Sequence, residues 1–218
     1  MQEELLNSIN KKKYVSIESV ESIGLTILPM AISRLKKHFA SYTINLNTID
    51  CCSKSNLLNN LCDIFICYSE PEKTSGLTTK LIGSDEILLV ADRKFSINSI
   101  KKEEIFDIPL IFASDKNCLK SLICNEFNCN NKDLDTSNVL YSTNSYFSAL
   151  KGVSSSKAAT FIPASIYNNY HSLPNIKIIK IEDLSIKMPI YISYLDSFYK
   201  MNSEFIRSLK NILKSYLN

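Results

Sequence analysis

An α/β fold in two lobes is predicted for this chain of 218 residues, on three observations. Short apolar runs rich in β-branched residues alternate with helix-period segments along nearly the whole sequence, the pattern of parallel sheets joined by crossover helices. Two polar stretches, Ala91-Asp92-Arg93-Lys94 and Ile186-Lys187-Met188-Pro189, stand where strands end or begin and are read as the lobe crossovers. The length gives room for one large or two small domains with cores of their own.

Strands are expected at Tyr14–Ser19, Thr43–Thr48, Ile64–Cys67, Leu77–Ile82, Glu86–Ala91, Leu110–Phe112, Asn138–Tyr141, Ala159–Ile162, Ile176–Ile179 and Pro189–Tyr194. The first helix follows from Ile27, Met30, Ala31, Arg34, Leu35 and Phe39, which recur at helical spacing with Arg34, Lys36 and Lys37 on the polar side. Further helices are expected at Ser55–Leu61, Leu119–Phe127, Ser145–Val153 and Ala164–Tyr170, and a terminal amphipathic helix runs from Ser203 to Leu213. Lobe I then takes residues 13–91 plus 189–218, lobe II takes 92–188, and residues 1–12 stand apart. No internal repeat or low-complexity tract interrupts the pattern.

Composition excludes several classes. Hydrophobic residues make up 45% and charged residues 22% of the chain, as in ordinary globular proteins. The net charge of +3 is too small to imply nucleic-acid binding, and the lysines are scattered apart from Lys11-Lys12-Lys13. No apolar run approaches the roughly 20 residues that span a bilayer, so no membrane partner is expected. Met1-Gln2-Glu3-Glu4 does not open a signal peptide, and a cytoplasmic location is expected. The seven cysteines, an odd count, read as reduced thiols.

The residues that carry chemistry cluster in four turns. In the first, a β-like run ends at Ser19-Val20-Glu21-Ser22 and a helix begins at once. Free backbone N–H groups beside small hydroxyls there suit the carboxylate or other anion of a small ligand. Ser22 reads equally well as an N-cap. Glu21 repels a carboxylate, so it either favours an amine-bearing ligand or faces solvent. The second turn is Tyr68-Ser69. The third holds Ser114, Lys116, Asn117 and Cys118, where Lys116 or Lys120 either pairs with an acidic ligand or is solvated. The fourth, Ser142-Thr143-Asn144-Ser145, precedes another helix. No P-loop, GxGxxG, GxSxG or HExxH is present, so no catalytic residue and no cofactor is assigned. Cys51-Cys52, Cys118, Cys124 and Cys129 form no CxxC pair and only His38 and His171 accompany them, so no metal site is expected.

Several segments, in order, resemble one family. Ser22-Ile23-Gly24 followed by Ile27-Leu28-Pro29 is similar to its small-residue turn, Ile-Gly and Leu-Leu-Pro. Leu35-Lys36-Lys37-His38-Phe39 resembles the end of its first long helix. Leu57-Leu58 and Leu61-Cys62-Asp63-Ile64-Phe65-Ile66 resemble its leucine pair and Leu-Asp-Leu-Ala-Ile, with Asp63 at the aspartate. Leu81 to Val90, with Asp85-Glu86, Pro109 to Phe112, Ala159-Thr160-Phe161-Ile162-Pro163 and Pro189 to Tyr194 match its later strands. The chain thus resembles, over residues 14–216, the effector-binding domain of LysR-type transcriptional regulators.

That resemblance implies a type 2 periplasmic-binding-protein fold, two Rossmann-like lobes with a ligand cleft between them. It implies a small metabolite carrying a carboxylate or sulfate-like group, with Thr143 resembling the ligand-side Ser/Thr of the family. It also implies a homodimer or higher assembly through effector domains, an antiparallel two-fold pair that sets the helix Ile23–Phe39 against the helix near Leu119–Phe127. DNA would be reached only through an N-terminal winged helix-turn-helix outside these residues, with Met1–Asn10 the stub of its linker. Two positions depart from the pattern. Ser154-Ser155-Ser156-Lys157-Ala158 replaces Ala-Ala-Gly-x-Gly, and Val20 replaces the small residue of the first turn. The alternatives are a transporter's solute-binding protein, and a thiol redox sensor in which Cys118 of Asn117-Cys118-Leu119-Lys120 is resolved by Cys124 or Cys129.

Overall fold

A computed structural model describes residues 13–49, 54–113, 118–128, 138–170 and 175–217, with Cys118 known by its backbone alone. The elements are β1 (Lys13–Val20), α1 (Glu21–Leu25), α2 (Ile27–Lys36), β2 (Tyr42–Ile49), α3 (Ser55–Leu58), β3 (Ile64–Cys67), β4 (Leu77–Asp92) and β5 (Ser99–Ile100). A 3₁₀ turn at Lys102–Glu104 precedes β6 (Leu110–Ala113), α4 (Cys118–Phe127), β7 (Val139–Thr143) and α5 (Tyr146–Ser155). Then come β8 (Ala159–Pro163), α6 (Ala164–Asn169), β9 (Ile176–Ile181), β10 (Ile186–Leu195) and α7 (Asp196–Leu217). Residues 1–12, read from sequence as a linker remnant, lie outside the described residues.

The chain forms two units, Met1–Gly83 with Ile190–Asn218 and Ser84–Pro189. In unit 1, β1 lies between β2 and β3, parallel to both. The returning β10 joins β3 antiparallel, with Ile192 opposite Ile66. β1 and β3 are covered on both sides, so both faces carry apolar residues. An aromatic cluster fixes the terminal helix: Phe205 stacks on Tyr42 at 4.7 Å between ring centroids and meets Phe39 edge-on at 5.3 Å. α7 bends at Asn202 (φ −132°, ψ 29°). The Asn202 carboxamide oxygen accepts the Tyr42 hydroxyl at 3.1 Å, and its Nδ2 donates to the Phe198 carbonyl at 3.3 Å. The bend is therefore held by side-chain hydrogen bonds at both ends of the Asn202 amide.

In unit 2, β6 runs parallel to β7 and β8, while β4 runs antiparallel to β8 and β9. Most pairs are parallel, as expected; the strands that return the chain, β4 and β10, pair antiparallel with β8, β9 and β3. β4 is one strand of 16 residues where the sequence suggested two, because Gly83-Ser84-Asp85 stays extended. Its second half pairs with β8 from Ile87 to Ala91, so 84–91 belong with unit 2 rather than with the first lobe. α5 buries Tyr146, Ala149, Leu150 and Val153, a single stripe at helical spacing. Gly152 on that helix leaves room for the Tyr141 side chain, since a Cβ there would lie 1.8 Å from the Tyr141 hydroxyl.

Among its described residues unit 2 holds one orphan. The Thr160 hydroxyl is buried and has no hydrogen-bond partner among the described residues. Thr160→Val keeps the shape and removes the unsatisfied group, so it is expected to raise stability by about 1 kcal/mol. Urea denaturation of the two proteins checks this, through a higher midpoint at unchanged slope.

Candidate functional site

In unit 1 the sequence-predicted residues Ser19, Val20, Glu21, Ser22, Tyr68 and Ser69 come together at the carboxyl ends of the adjacent parallel strands β1 and β3. Ligands of open α/β sheets bind at such strand ends. The chemistry differs from the expectation. Val20, not Ser22, is the N-cap of α1, and no side chain caps that helix. Ser19 and Ser22 are fully buried. The Ser19 hydroxyl donates to the Val20 carbonyl at 3.3 Å. Ser22 Oγ instead shares a hydrogen bond of 2.7 Å with the Tyr68 hydroxyl. Thr26, which separates α1 from α2, donates both its hydroxyl (2.6 Å) and its N–H (3.2 Å) to the Ser22 carbonyl. The hydroxyls offered to an anion are therefore engaged inside the protein. Glu21 opens α1 and is half-buried, Val20 and Tyr68 are buried, and Ser69 is half-buried. The Ser69 carbonyl accepts the Cys67 thiol at 3.0 Å.

The segment after Ser69 lines an open cavity of about 340 Å³ with Glu70, Glu72, Lys73, Thr74, Leu77 and Thr78 among its walls. That volume is in the range of small-molecule sites. Lys54 reaches Glu72 at 2.6 Å, and the lysine holds the Glu72 carboxyl below its usual range.

In unit 2, Thr143 ends β7 in register with Ala113 at the end of β6. Thr143 Oγ1 accepts the Ser145 N–H at 3.3 Å, a turn that leads into α5. Asn144 is exposed at the tip of this turn. Ser114, Lys116 and Asn117 lie outside the described residues, and so does the Cys118 side chain, whose backbone opens α4. Cys124, one of the two thiols considered as a resolving partner, is buried.

Sequence reasoning missed a buried polar knot beneath the β1 turn. Glu18, 7% exposed, has both carboxylate oxygens within hydrogen-bond distance of Asn56 Nδ2, at 3.1 and 2.9 Å. The Asn56 carbonyl in turn accepts the Leu61 N–H at 2.8 Å. α3 is thereby tied to β1 at one end and to the approach of β3 at the other. Asp63, matched to the family aspartate, has the same office: its Oδ2 accepts the Ser16 N–H at 2.8 Å while its own N–H donates to the Ser16 carbonyl at 2.9 Å. In unit 2, Asp85 on β4 accepts the Ser165 hydroxyl at 2.5 Å and its N–H at 3.2 Å, which fixes the start of α6.

Burial pushes the Cys62 thiol up to about 12, with the neighbouring Glu18 charge, a hydrogen bond to Glu18 and Asp63 adding to it. The folded chain therefore holds this proton more firmly than the unfolded chain does. The resulting stability is fully present below 9.0 and is lost as pH rises from there toward about 12. The alkaline loss of stability is accordingly expected to be smaller in Cys62→Ala than in the wild type, as measured by urea unfolding at a series of alkaline pH values.

Among the described residues no group of three or more His, Cys, Asp or Glu is placed to hold a metal ion, and no helix is long and apolar enough to cross a membrane. Two α/β units threaded by β4 and β10, with polar turns at their strand ends, define a protein of the periplasmic-binding class. The family model described as the LysR substrate binding domain matches residues 11–214, and the chain belongs to that family. It is an effector-sensing regulatory domain of the LysR type, not a transporter's solute-binding protein.

Solved structures agree on the fold. Full-length CbnR complexed with its target DNA is 14% identical, with a TM-score of 0.74 over 96% of this chain and 73% of that one. The reduced OxyR regulatory domain of Pseudomonas aeruginosa is 15% identical, with a TM-score of 0.77 over 94% and 99%. A full-length BenM mutant is 16% identical, with a TM-score of 0.76 over 99% and 72%. A search of curated protein sequences finds no match.

Proposed function

We propose that this domain binds a small-molecule effector through the turns that follow β1 and β3 in unit 1. The observation that carries this is the gathering of Val20, Glu21, Tyr68 and Ser69 at the ends of two paired parallel strands, in a chain matched by the family over 11–214. Binding favours whichever conformation holds the effector more tightly, and the domain passes that preference on. DNA is reached through a separate winged helix-turn-helix domain, as the CbnR complex with its target DNA suggests by analogy. The domain turns over no substrate and works in the cytoplasm, where such regulators meet DNA. A thermal-shift screen of amino acids, keto acids, dicarboxylates and sulfur metabolites tests the reading. A saturable rise is expected with one class, and Ser69→Trp is expected to abolish it. A rise that the substitution leaves intact places the ligand elsewhere.

The signal passes through a two-fold pair of effector domains. Support comes from apolar residues left at the surface: Met30 on α2 is 39% exposed, and Leu140 and Tyr141 on the edge strand β7 are 55% and 45% exposed. An edge strand with such residues invites a covering partner. Met30→Glu and Leu140→Glu are each expected to shift the protein toward monomer, with sedimentation velocity as the measure. A wild-type domain that remains monomeric at high concentration contradicts the pairing.

A further inference from the structure

We propose that the outer face of α7 holds the phosphate backbone of duplex DNA without reading its sequence, as a contact additional to the one made by the separate DNA-reading domain. The inference goes beyond the effector reading and does not depend on it. Arg207, Lys210 and Lys214 follow the bend at Asn202 three and four residues apart, so they share one side of α7. Arg207 and Lys214 are exposed and Lys210 is half-buried. Phe205, Ile206, Leu209 and Leu213 fill the side toward the core. The stripe from Arg207 to Lys214 runs about 10 Å along the axis, a length over which duplex DNA carries about six phosphate charges. Glu204 is the only acid between Ser203 and Leu217.

The neighbouring elements of unit 1 add positive charge and no acid. Arg34 of α2 donates to the Ser215 hydroxyl at 3.1 Å and lies 5.6 Å over the Tyr216 ring. Exposed Lys37 follows at the end of α2, a helix without acidic residues. β2, which meets α7 through Tyr42 and Phe205, carries no charged residue. No carboxylate of the described residues forms an ion pair with Arg34, Lys37, Arg207, Lys210 or Lys214. The Tyr199 phenol registers this field: it is held below its usual value first by its hydrogen bond from Arg207, at 3.3 Å, and further by the charges of Arg207 and Lys210. The helix dipole favours a cation in the last turn of α7, which accounts for Lys214. It does not account for Arg207, about three turns before the end. The face does not suit a protein partner either. Stable protein interfaces have an apolar centre, and among the described residues the one large apolar side chain exposed on α7 is Met201, before the bend. Lys, Arg and Asn are the donors that phosphates use, and exposed Asn211 stands among the three cations. The net charge of +3 for the whole chain understates a surface on which the cations gather at one place.

The test is fluorescence anisotropy of a labelled duplex of about 20 base pairs and arbitrary sequence, titrated with the whole chain at a series of salt concentrations. The wild type is expected to bind saturably at low salt, and to bind a duplex of different sequence equally well. Arg207→Gln/Lys210→Gln/Lys214→Gln is expected to weaken binding about tenfold or more, and to flatten the slope of log K against log salt by about 3. Lys157→Gln/Lys180→Gln/Lys187→Gln, at exposed lysines of unit 2, removes the same net charge and is expected to leave both unchanged. Arg207→Gln and Lys214→Gln, made singly, are each expected to flatten the slope by about 1, and they take over if the triple α7 variant fails to fold. No binding by the wild type overturns the proposal. So does an equal loss in the unit 2 variant, or a loss in Lys11→Gln/Lys12→Gln/Lys13→Gln in place of the α7 variant. Polyglutamate that binds more tightly than the duplex at equal charge assigns the face to an acidic polypeptide and overturns the proposal as well.

Discussion

Asn56→Asp is expected to destabilise the domain by about 4 kcal/mol at neutral pH, and by little near pH 4. The Asn56 amide nitrogen lies 3.1 and 2.9 Å from the two Glu18 oxygens. Glu18 is 7% exposed, and the contacts resolved around it are neutral, the Asn56 amide and the Cys62 thiol. Replacing that amide by a second carboxylate sets like charges at hydrogen-bond distance where water cannot separate them. One proton is then held between them in the folded state, with a folded pKa above the unfolded value. The variant's stability is therefore full below the unfolded carboxylate range and is lost as pH rises through the raised folded value. At acid pH the protonated Asp donates much as Asn56 does. Urea unfolding of both proteins across this range gives the difference directly. A constant difference at every pH would show that the loss is steric rather than electrostatic.

Phe205→Ala carries the other large effect, a loss of about 4 kcal/mol, or roughly 8–16 °C in melting temperature for a chain of this size. Phe205 is fully buried. It contacts Tyr42, where β2 begins, and Phe39, just beyond α2, so its removal opens a cavity where three parts of unit 1 meet. Hydrogen exchange is the discriminating measurement. Protection is expected to fall first in α7 and β2, and a loss confined to unit 2 would contradict the assignment. Phe205→Leu, which refills part of the space, is expected to recover about half of the loss.

How much of this was legible in the sequence depends on whether a feature is periodic or assembled. The strand at Ile64–Cys67 is found with the bounds read for it, because a short apolar run covered on both faces has few alternatives. The first helix was read as continuous from the spacing of Ile27 to Phe39. It starts at Ile27 as read and ends at Lys36, and what was missed is the short α1 before it, set off at Thr26, whose hydroxyl donates to the Ser22 carbonyl, a local competition that apolar periodicity does not register. α3 stops at Leu58, three residues short of the reading. Asn60 there takes a left-handed φ of 56°, which asparagine tolerates. The two-residue β5 is too short to leave a pattern.

The candidate site was legible as a set of turns and illegible as chemistry. Ser19-Val20-Glu21-Ser22 and Tyr68-Ser69 are separated by 46 residues between Ser22 and Tyr68, and nothing in either segment announces that their hydroxyls meet. Serines at a strand-to-helix turn suggest a cap or an anion site, and the pairing with a distant phenol removes both roles. The Glu18, Asn56 and Cys62 knot was missed for the same reason. A glutamate inside a β run is ordinarily exposed, and only the fold brings Asn56 over it.

The central claim, that an effector is held by the strand-end turns, is tested most directly by hydrogen exchange on the domain with and without the metabolite that gives the largest thermal shift. New protection is expected at the turns around Val20–Ser22 and Tyr68–Ser69 in unit 1, with the β1 and β3 cores already protected. Protection confined to other surfaces, such as α7, would contradict it.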